Sequence, residues 1–299
     1  MLAQAVPVKS DRNIVEANGS RYCEICGAMP RVGNERLHPH PRLVWSGLMT
    51  ENAARNDDRE PLVRLRDHTR REFRDRMQAK QLQACIIPVA AIEQHLEHLA
   101  MEHDWRSVCL VAETVAARLR PRVLVAEGLM AGISEHHMRH PGTLTLRPGT
   151  FLTVLSDLID SVLRAGFKNI LVLNGHGGNT EPIRAVWDQF RRMFPVNLQF
   201  LPYWEVLNED DARQWLKGGH RLPDDLPGHA QEFETAIALA AFPENVRSCA
   251  MRDQADPSPA LATAEAGREL LDRIVKRLAV VLEDMMAGRR VSPEPDYHP

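Results

Sequence analysis

The segment Asn169-Ile170-Leu171-Val172-Leu173-Asn174-Gly175-His176-Gly177-Gly178-Asn179-Thr180 runs from apolar residues into a glycine-rich turn and then into a helical pattern. A short apolar run bounded by turn residues reads as a buried strand, and a buried strand feeding a helix is the repeating unit of a parallel sheet. Three glycines at 175, 177 and 178 let the backbone turn tightly around His176 and bring its ring close to a ligand or metal. A phosphate-cradling turn is the competing reading, but the pattern is neither G-x-G-x-x-G nor a P-loop and holds no lysine.

Outward from this unit the same alternation continues. Apolar strands are predicted at 84–89, 123–126 and 197–201, and helices at 107–119, 148–165 and 180–193, followed by helices near 205–216, 231–241 and 260–286. Strands that alternate with amphipathic helices predict an α/β fold, a three-layer α/β/α sandwich with a mostly parallel central sheet. An amphipathic helix is predicted over 61–81 from Leu62, Leu65, Phe73 and Met77. Residues 1–60 are polar, interrupted by Pro30, Pro39 and Pro41, and read as an irregular extension or cap; 61–288 form the main domain and 289–299 a proline-containing tail. In such a sheet ligands bind beyond the carboxyl ends of the strands.

Those ends carry three constellations. After the strand at 84–89 comes Glu93-Gln94-His95, whose carboxylate and imidazole, two residues apart, point to one side of an extended chain and suit Zn2+ or Mn2+. Asp104 can return to the same place after a loop; a solvated polar loop is the plain alternative. The second is His176. The third is Gly228-His229-Ala230-Gln231-Glu232-Phe233-Glu234-Thr235, at the start of a helix. His229 and Glu232 can face one point, with Glu234 turned away from Glu232, and one carboxylate can serve as ligand while the other supports it. Acidic residues favouring the helix dipole explain the carboxylates without a ligand role, but not the histidine.

Together E-Q-H with an aspartate eleven residues after the glutamate, N-G-H-G-G-N after a strand, G-H-A-x-E-F-E-T, and Ser134-Glu135-His136-His137 leading to Pro141-Gly142-Thr143 resemble the creatininase (creatinine amidohydrolase) family over roughly residues 82–250. The resemblance implies two divalent metal ions per chain, Zn2+ or Mn2+ with Fe2+ as a further option, and hydrolysis of a C–N amide bond by a hydroxide bridged between them. It implies that Glu93 and His176 bind one ion and His95 the other, with Asp104 bridging. The family's type member has a glutamate where this chain has Gly178, so the fifth ligand is assigned to Glu232, as in relatives with G-H-G-G. His229 is then the proton shuttle and Glu234 its orienting or supporting carboxylate; His137 and the amides of Gly177 and Gly178 contact substrate. The substrate is expected to be a small amide, cyclic or linear. Formamide deformylation and peptide cleavage are alternatives within the family. A metal-free scaffold and a phosphate-ester hydrolase, for which Arg139 is the obvious cation, are alternatives of other classes. Homo-oligomers, often hexamers, are implied as well.

A charge of −3, with 37 basic against 40 acidic residues, argues against nucleic acid and anionic membranes as partners. The absence of a spanning apolar run or a signal-peptide pattern points to the cytoplasm. Five cysteines suggest free thiols rather than a disulfide framework. Cys23 and Cys26, with His38 and His40 beyond, form a candidate structural zinc site alongside the plainer reading of a cap with free thiols.

Overall fold

The structure, a computed structural model, describes residues 62–219 and 225–295 and the backbone of two short strands near the amino terminus. The chain divides into two compact units, Met1–Arg59 and Glu60–Pro299. In the first, β1 (Ile14–Ala17) pairs antiparallel with β2 (Ser20–Cys23). Cys26, His38, His40 and the side chain of Cys23 lie outside the described residues, and with them the zinc reading.

The second unit contains α1 (Arg70–Gln78), β3 (Ala84–Val89), α2 (His103–Arg118), β4 (Val123–Val125), α3 (Pro148–Arg164), β5 (Asn169–Asn174), α4 (Gly177–Met193), β6 (Asn197–Pro202), α5 (Glu209–Trp215), α6 (Glu232–Ala241) and α7 (Ala264–Met286). The four strands β3 to β6 form a wholly parallel sheet in the order β4-β3-β5-β6. Side chains alternate between its faces. Ala84, Ile86, Leu171 and Leu173 enter one core with α2, α6 and α7; Cys85, Ile87, Ile170 and Val172 enter a second with α3, α4 and the Phe73 and Met77 of α1. The i, i+4 series Leu270, Ile274, Leu278 and Leu282 gives α7 its buried stripe. The three-layer α/β/α sandwich expected from the sequence is thus the observed fold.

Strand order makes the site. From β3 the chain passes through α2 to β4 on one side, then through α3 to β5 on the other, with α2 and α3 on opposite faces of the sheet. The loops leaving β3 and β5 therefore part, and a crevice opens between two neighbouring strand ends, Val89 and Asn174 being register partners.

Several boundaries differ from the sequence reading, each for a capping reason. The helix expected over 61–81 is confined to α1 because Thr69 and Glu72 form a capping box. The one near 205–216 divides into a 3-10 turn at Tyr203–Val206 and α5, where Asn208 and Asp211 form another. Thr263 caps α7, so it begins at Ala264. The tail is bound along the sheet edge: the Leu198 amide donates to Ser292 Oγ, which donates to the Leu198 carbonyl. Cys85 and Cys109 are free thiols, the first buried and the second half-buried. No helix of the described residues is long and apolar enough to cross a membrane.

Candidate metal centre

Beyond the ends of β3 and β5 five ionisable side chains converge in two groups that share one carboxylate: Glu93, Asp104 and His176 in one, His95, Asp104 and Glu234 in the other. All five are buried. Asp104 lies between the histidines, Oδ1 at 3.0 Å from His95 Nε2 and Oδ2 at 3.0 Å from His176 Nδ1. Glu93 Oε1 is 3.3 Å from His176 Nδ1, and Glu234 Oε2 is 3.6 Å from His95 Nε2.

Hydrogen bonds behind the cluster fix each ring. His95 Nδ1–H donates to the Glu93 carbonyl at 3.1 Å, which leaves Nε2 facing inward. His176 does the reverse: Nε2–H donates to the Ile133 carbonyl at 3.1 Å and Nδ1 faces inward. Such outer partners set the tautomer and angle of metal-binding imidazoles. The turn carrying His176 is held by two asparagines that sequence reasoning passed over. Asn174 Oδ1 accepts from the His176 amide, and Asn179 accepts from the Ile133 amide while donating to the Ala90 carbonyl and Asn174 Oδ1. Asparagine at both ends of a glycine-histidine turn was the available signal, since short amide side chains satisfy turn backbone.

Helix α4 starts at Gly177, not near 180 as expected, so His176 is its N-cap and the amides of Gly177 and Gly178 lie in the first turn. Helix α2 likewise starts at His103, four residues before the expected position, which places Asp104 on a rigid helical turn rather than in a loop.

Glu232 lies apart from the cluster. Its two carboxylate oxygens accept from the amides of Lys217 and Gly218, at 2.8 and 2.7 Å. Glu234 occupies the inner position instead, with Oε2 accepting from the Ala230 amide at 2.6 Å. Of the two glutamates it is therefore Glu234 that stands with His95 and Asp104, and Glu232 that holds the 217–218 turn. At the mouth, His229 Nδ1 stands 3.4 Å and His137 Nε2 3.7 Å from Glu93 Oε1, and the two rings stack at 4.1 Å. Ser134, also missed, has its Oγ 3.2 Å from His176 Nε2.

The electrostatics are those of an anionic hole. Burial opposes charge on His95, but Asp104 and Glu234 outweigh it and raise its pKa to about 9; Asp104 and Glu93 raise His176 in the same way to about 10. Burial raises Glu234 to about 8, and lowers His229 to about 3 with help from His95. Asp104, buried but flanked by both histidines, is held well below the carboxylate range. Among the described residues the ion-pair partners of Glu93, Asp104 and Glu234 are all histidines, and Glu93 Oε2 is buried with no hydrogen-bond partner. Three carboxylates and two inward imidazole nitrogens around an unpartnered oxygen fit hard or borderline divalent cations.

The sequence profile of the creatininase family, described as creatinine amidohydrolase, matches residues 66–260, more than half of the chain. The 3-dehydro-scyllo-inosose hydrolase of Thermotoga maritima is 32% identical over 179 residues, 59% of this chain and 55% of that protein. The mycofactocin precursor peptide peptidase of Mycobacterium tuberculosis (strain CDC 1551 / Oshkosh) is 34% identical over 175 residues, 54% of this chain and 60% of that one. The chain thus spans less than two thirds of these relatives' length. A crystal structure of creatinine amidohydrolase (creatininase) superposes with a TM-score of 0.66 at 26% identity, covering 77% of this chain and 98% of that one. Fold, motifs and profile agree: the chain belongs to the creatininase family.

Proposed function

We propose that the chain is a metal-dependent amidohydrolase that opens a C–N bond of a small amide, with Glu93, Asp104 and His176 holding one divalent ion and His95, Asp104 and Glu234 a second. The observation that carries this reading is the pair of three-residue groups sharing Asp104, with the buried Glu93 Oε2 unpartnered beside them. Zn2+ or Mn2+ suits this donor set, and a bound divalent pair supplies Lewis acidity toward the substrate carbonyl and a more acidic water.

The chain's own residues do the rest. Asp104, shared by both groups, holds the two halves of the site at fixed separation, and the Glu93 and Ile133 carbonyls keep the imidazoles aimed inward. The first-turn amides of Gly177 and Gly178, which have no partner within the helix, are suited to an oxygen that gains charge. His229, on the open side, faces Glu93 with Nδ1; an N–H there can hydrogen-bond the leaving nitrogen and orient it, while the proton that nitrogen needs to depart as an amine comes from the attacking water. His137 stacks on it and contacts substrate from the same side.

Cleavage of a peptide amide is the second reading, favoured by the 34% identity to the mycofactocin precursor peptidase. The test is metal content per chain in the wild type and His176→Ala, with a hydrolysis screen over creatinine, cyclic amides, formamides and short peptides, repeated with His229→Ala. About two ions per chain, fewer in His176→Ala, and an amide turned over only with His229 present are expected. A protein that takes up no Zn2+ or Mn2+ would overturn the proposal.

A further inference from the structure

Gln94, between two residues of the cluster, has a carboxamide committed on both sides. Its Oε1 accepts from the Leu96 amide at 2.9 Å, across a turn in which Leu96 has φ of 52°. A backbone N–H can only donate, so this bond settles which end of the amide is oxygen and turns the NH2 group toward the mouth. Nε2 then lies 3.0 Å from His137 Nδ1 and 2.7 Å from His229 Nε2. An NH2 group has two hydrogens, and here it has two ring nitrogens to receive them.

We propose that Gln94 is a positioning residue that fixes the tautomers of His137 and His229 with one carboxamide, so that both rings present an N–H to the mouth of the site. The step is stereochemical. A ring nitrogen that accepts from Gln94 carries no hydrogen, so in a neutral imidazole the hydrogen sits on the other nitrogen: Nε2 of His137 and Nδ1 of His229. These are the two nitrogens that face Glu93 Oε1, at 3.7 and 3.4 Å. The rings are nearly parallel, at 26°, clamped along the edge Gln94 touches. The Gln94 amide also donates to Thr143 Oγ1 at 3.1 Å, which ties the same residue to the loop that carries His137. A substrate entering over Glu93 therefore meets two preset donors, which favours a ligand with an acceptor oxygen or nitrogen at that point. The inference deepens the amidohydrolase reading and rests on it for the meaning of the two donors, but not for their existence.

Long-range 1H–15N spectra of the Zn2+-loaded protein labelled at histidine test it, with the two rings assigned by loss of signal in His137→Asn and His229→Asn. The expected pattern is protonated Nε2 with bare Nδ1 for His137, and the opposite for His229. In Gln94→Met, which keeps volume and removes the donors, both rings are expected to lose the single-tautomer signature while Zn2+ content is unchanged. In Gln94→Glu, which keeps an oxygen for the Leu96 amide, Nδ1 of His137 and Nε2 of His229 are expected to become protonated. Wild-type spectra with the opposite tautomers, or variants that leave both rings as they were, would overturn the proposal. A locked pair in a protein that hydrolyses no amide would leave this inference standing and remove the function instead.

Discussion

Gly178 lies so close beneath the carbonyl of Ile133 that a Cβ on it would sit 2.4 Å from the oxygen and 2.5 Å from His176 Nε2. That carbonyl is the acceptor that aims His176, so any side chain at 178 displaces a ligand's orienting partner. Gly178→Ala is expected to weaken metal affinity about 10- to 100-fold, the usual effect of disturbing an outer partner of a ligand, measured by Zn2+ titration. Nor is Gly178→Glu expected to rescue Glu234→Gln, because the glutamate has no room to enter. A double variant that regains full metal content would show that the backbone can yield here.

The two glutamates of α6 separate cleanly by measurement. Glu234→Gln is expected to remove about one ion per chain, since Glu234 lies in the second three-residue group. Glu232→Gln is expected to keep its metal and lose about 0.5 to 1.5 kcal/mol of stability, because one amide of the exposed 217–218 turn then meets an NH2 group instead of an oxygen. Elemental analysis and denaturant unfolding read the two effects apart. Loss of metal in Glu232→Gln with none in Glu234→Gln would restore the assignment made from sequence.

The two glutamates are hard to tell apart in the sequence for a physical reason. Every residue from Glu232 to Ala238 is buried, so α6 has no polar face from which its rotation can be read, and two acids in its first turn are equivalent on paper. The loop after β3 is easier to read: Glu93 and His95, two apart in the sequence, have ligand atoms within 4.8 Å of each other. The doubly covered sheet was legible because β3 and β5 are uninterrupted apolar runs. Asp104 was legible as a partner, but not as part of a helix, because the start of α2 at His103 has no side-chain cap to announce it. Asn174, Asn179 and Gln94 were invisible as a group, since each acts on backbone or rings brought close only by the fold.

Asn179 tests how far the site depends on that support. Asn179→Ala leaves the Ile133 amide and the Ala90 carbonyl without their side-chain partner in a buried place, at a cost of about 1 to 3 kcal/mol. It also frees the loop that carries the Ile133 carbonyl, so metal affinity is expected to fall together with stability. A destabilised variant with unaltered affinity would separate the asparagine network from the metal site.

Proton release is the remaining consequence of the buried cluster. In the metal-free chain His95 and His176 stand at about 9 and 10 against an ordinary 6.5, and Glu234 at about 8 against 4.5. Each raised group binds a proton more tightly folded than unfolded. The stability contributed by the histidines is therefore complete below about pH 6.5 and lost as pH rises through 9 to 10; that of Glu234 is complete below about 4.5 and lost through 8. Metal-free protein is thus expected to weaken from about pH 6.5 to 10, while below that His98, His103 and His229, whose pKa values burial lowers to about 4, 3 and 3, act with the opposite sign. Divalent ions require these groups deprotonated, so binding near pH 7 is expected to release up to three protons, from His95, His176 and Glu234, and apparent affinity is expected to rise with pH across the same window. Calorimetric titration of Zn2+ in buffers of different ionisation enthalpy counts those protons directly. Binding without proton release at pH 7 would mean that the cations enter somewhere other than this cluster.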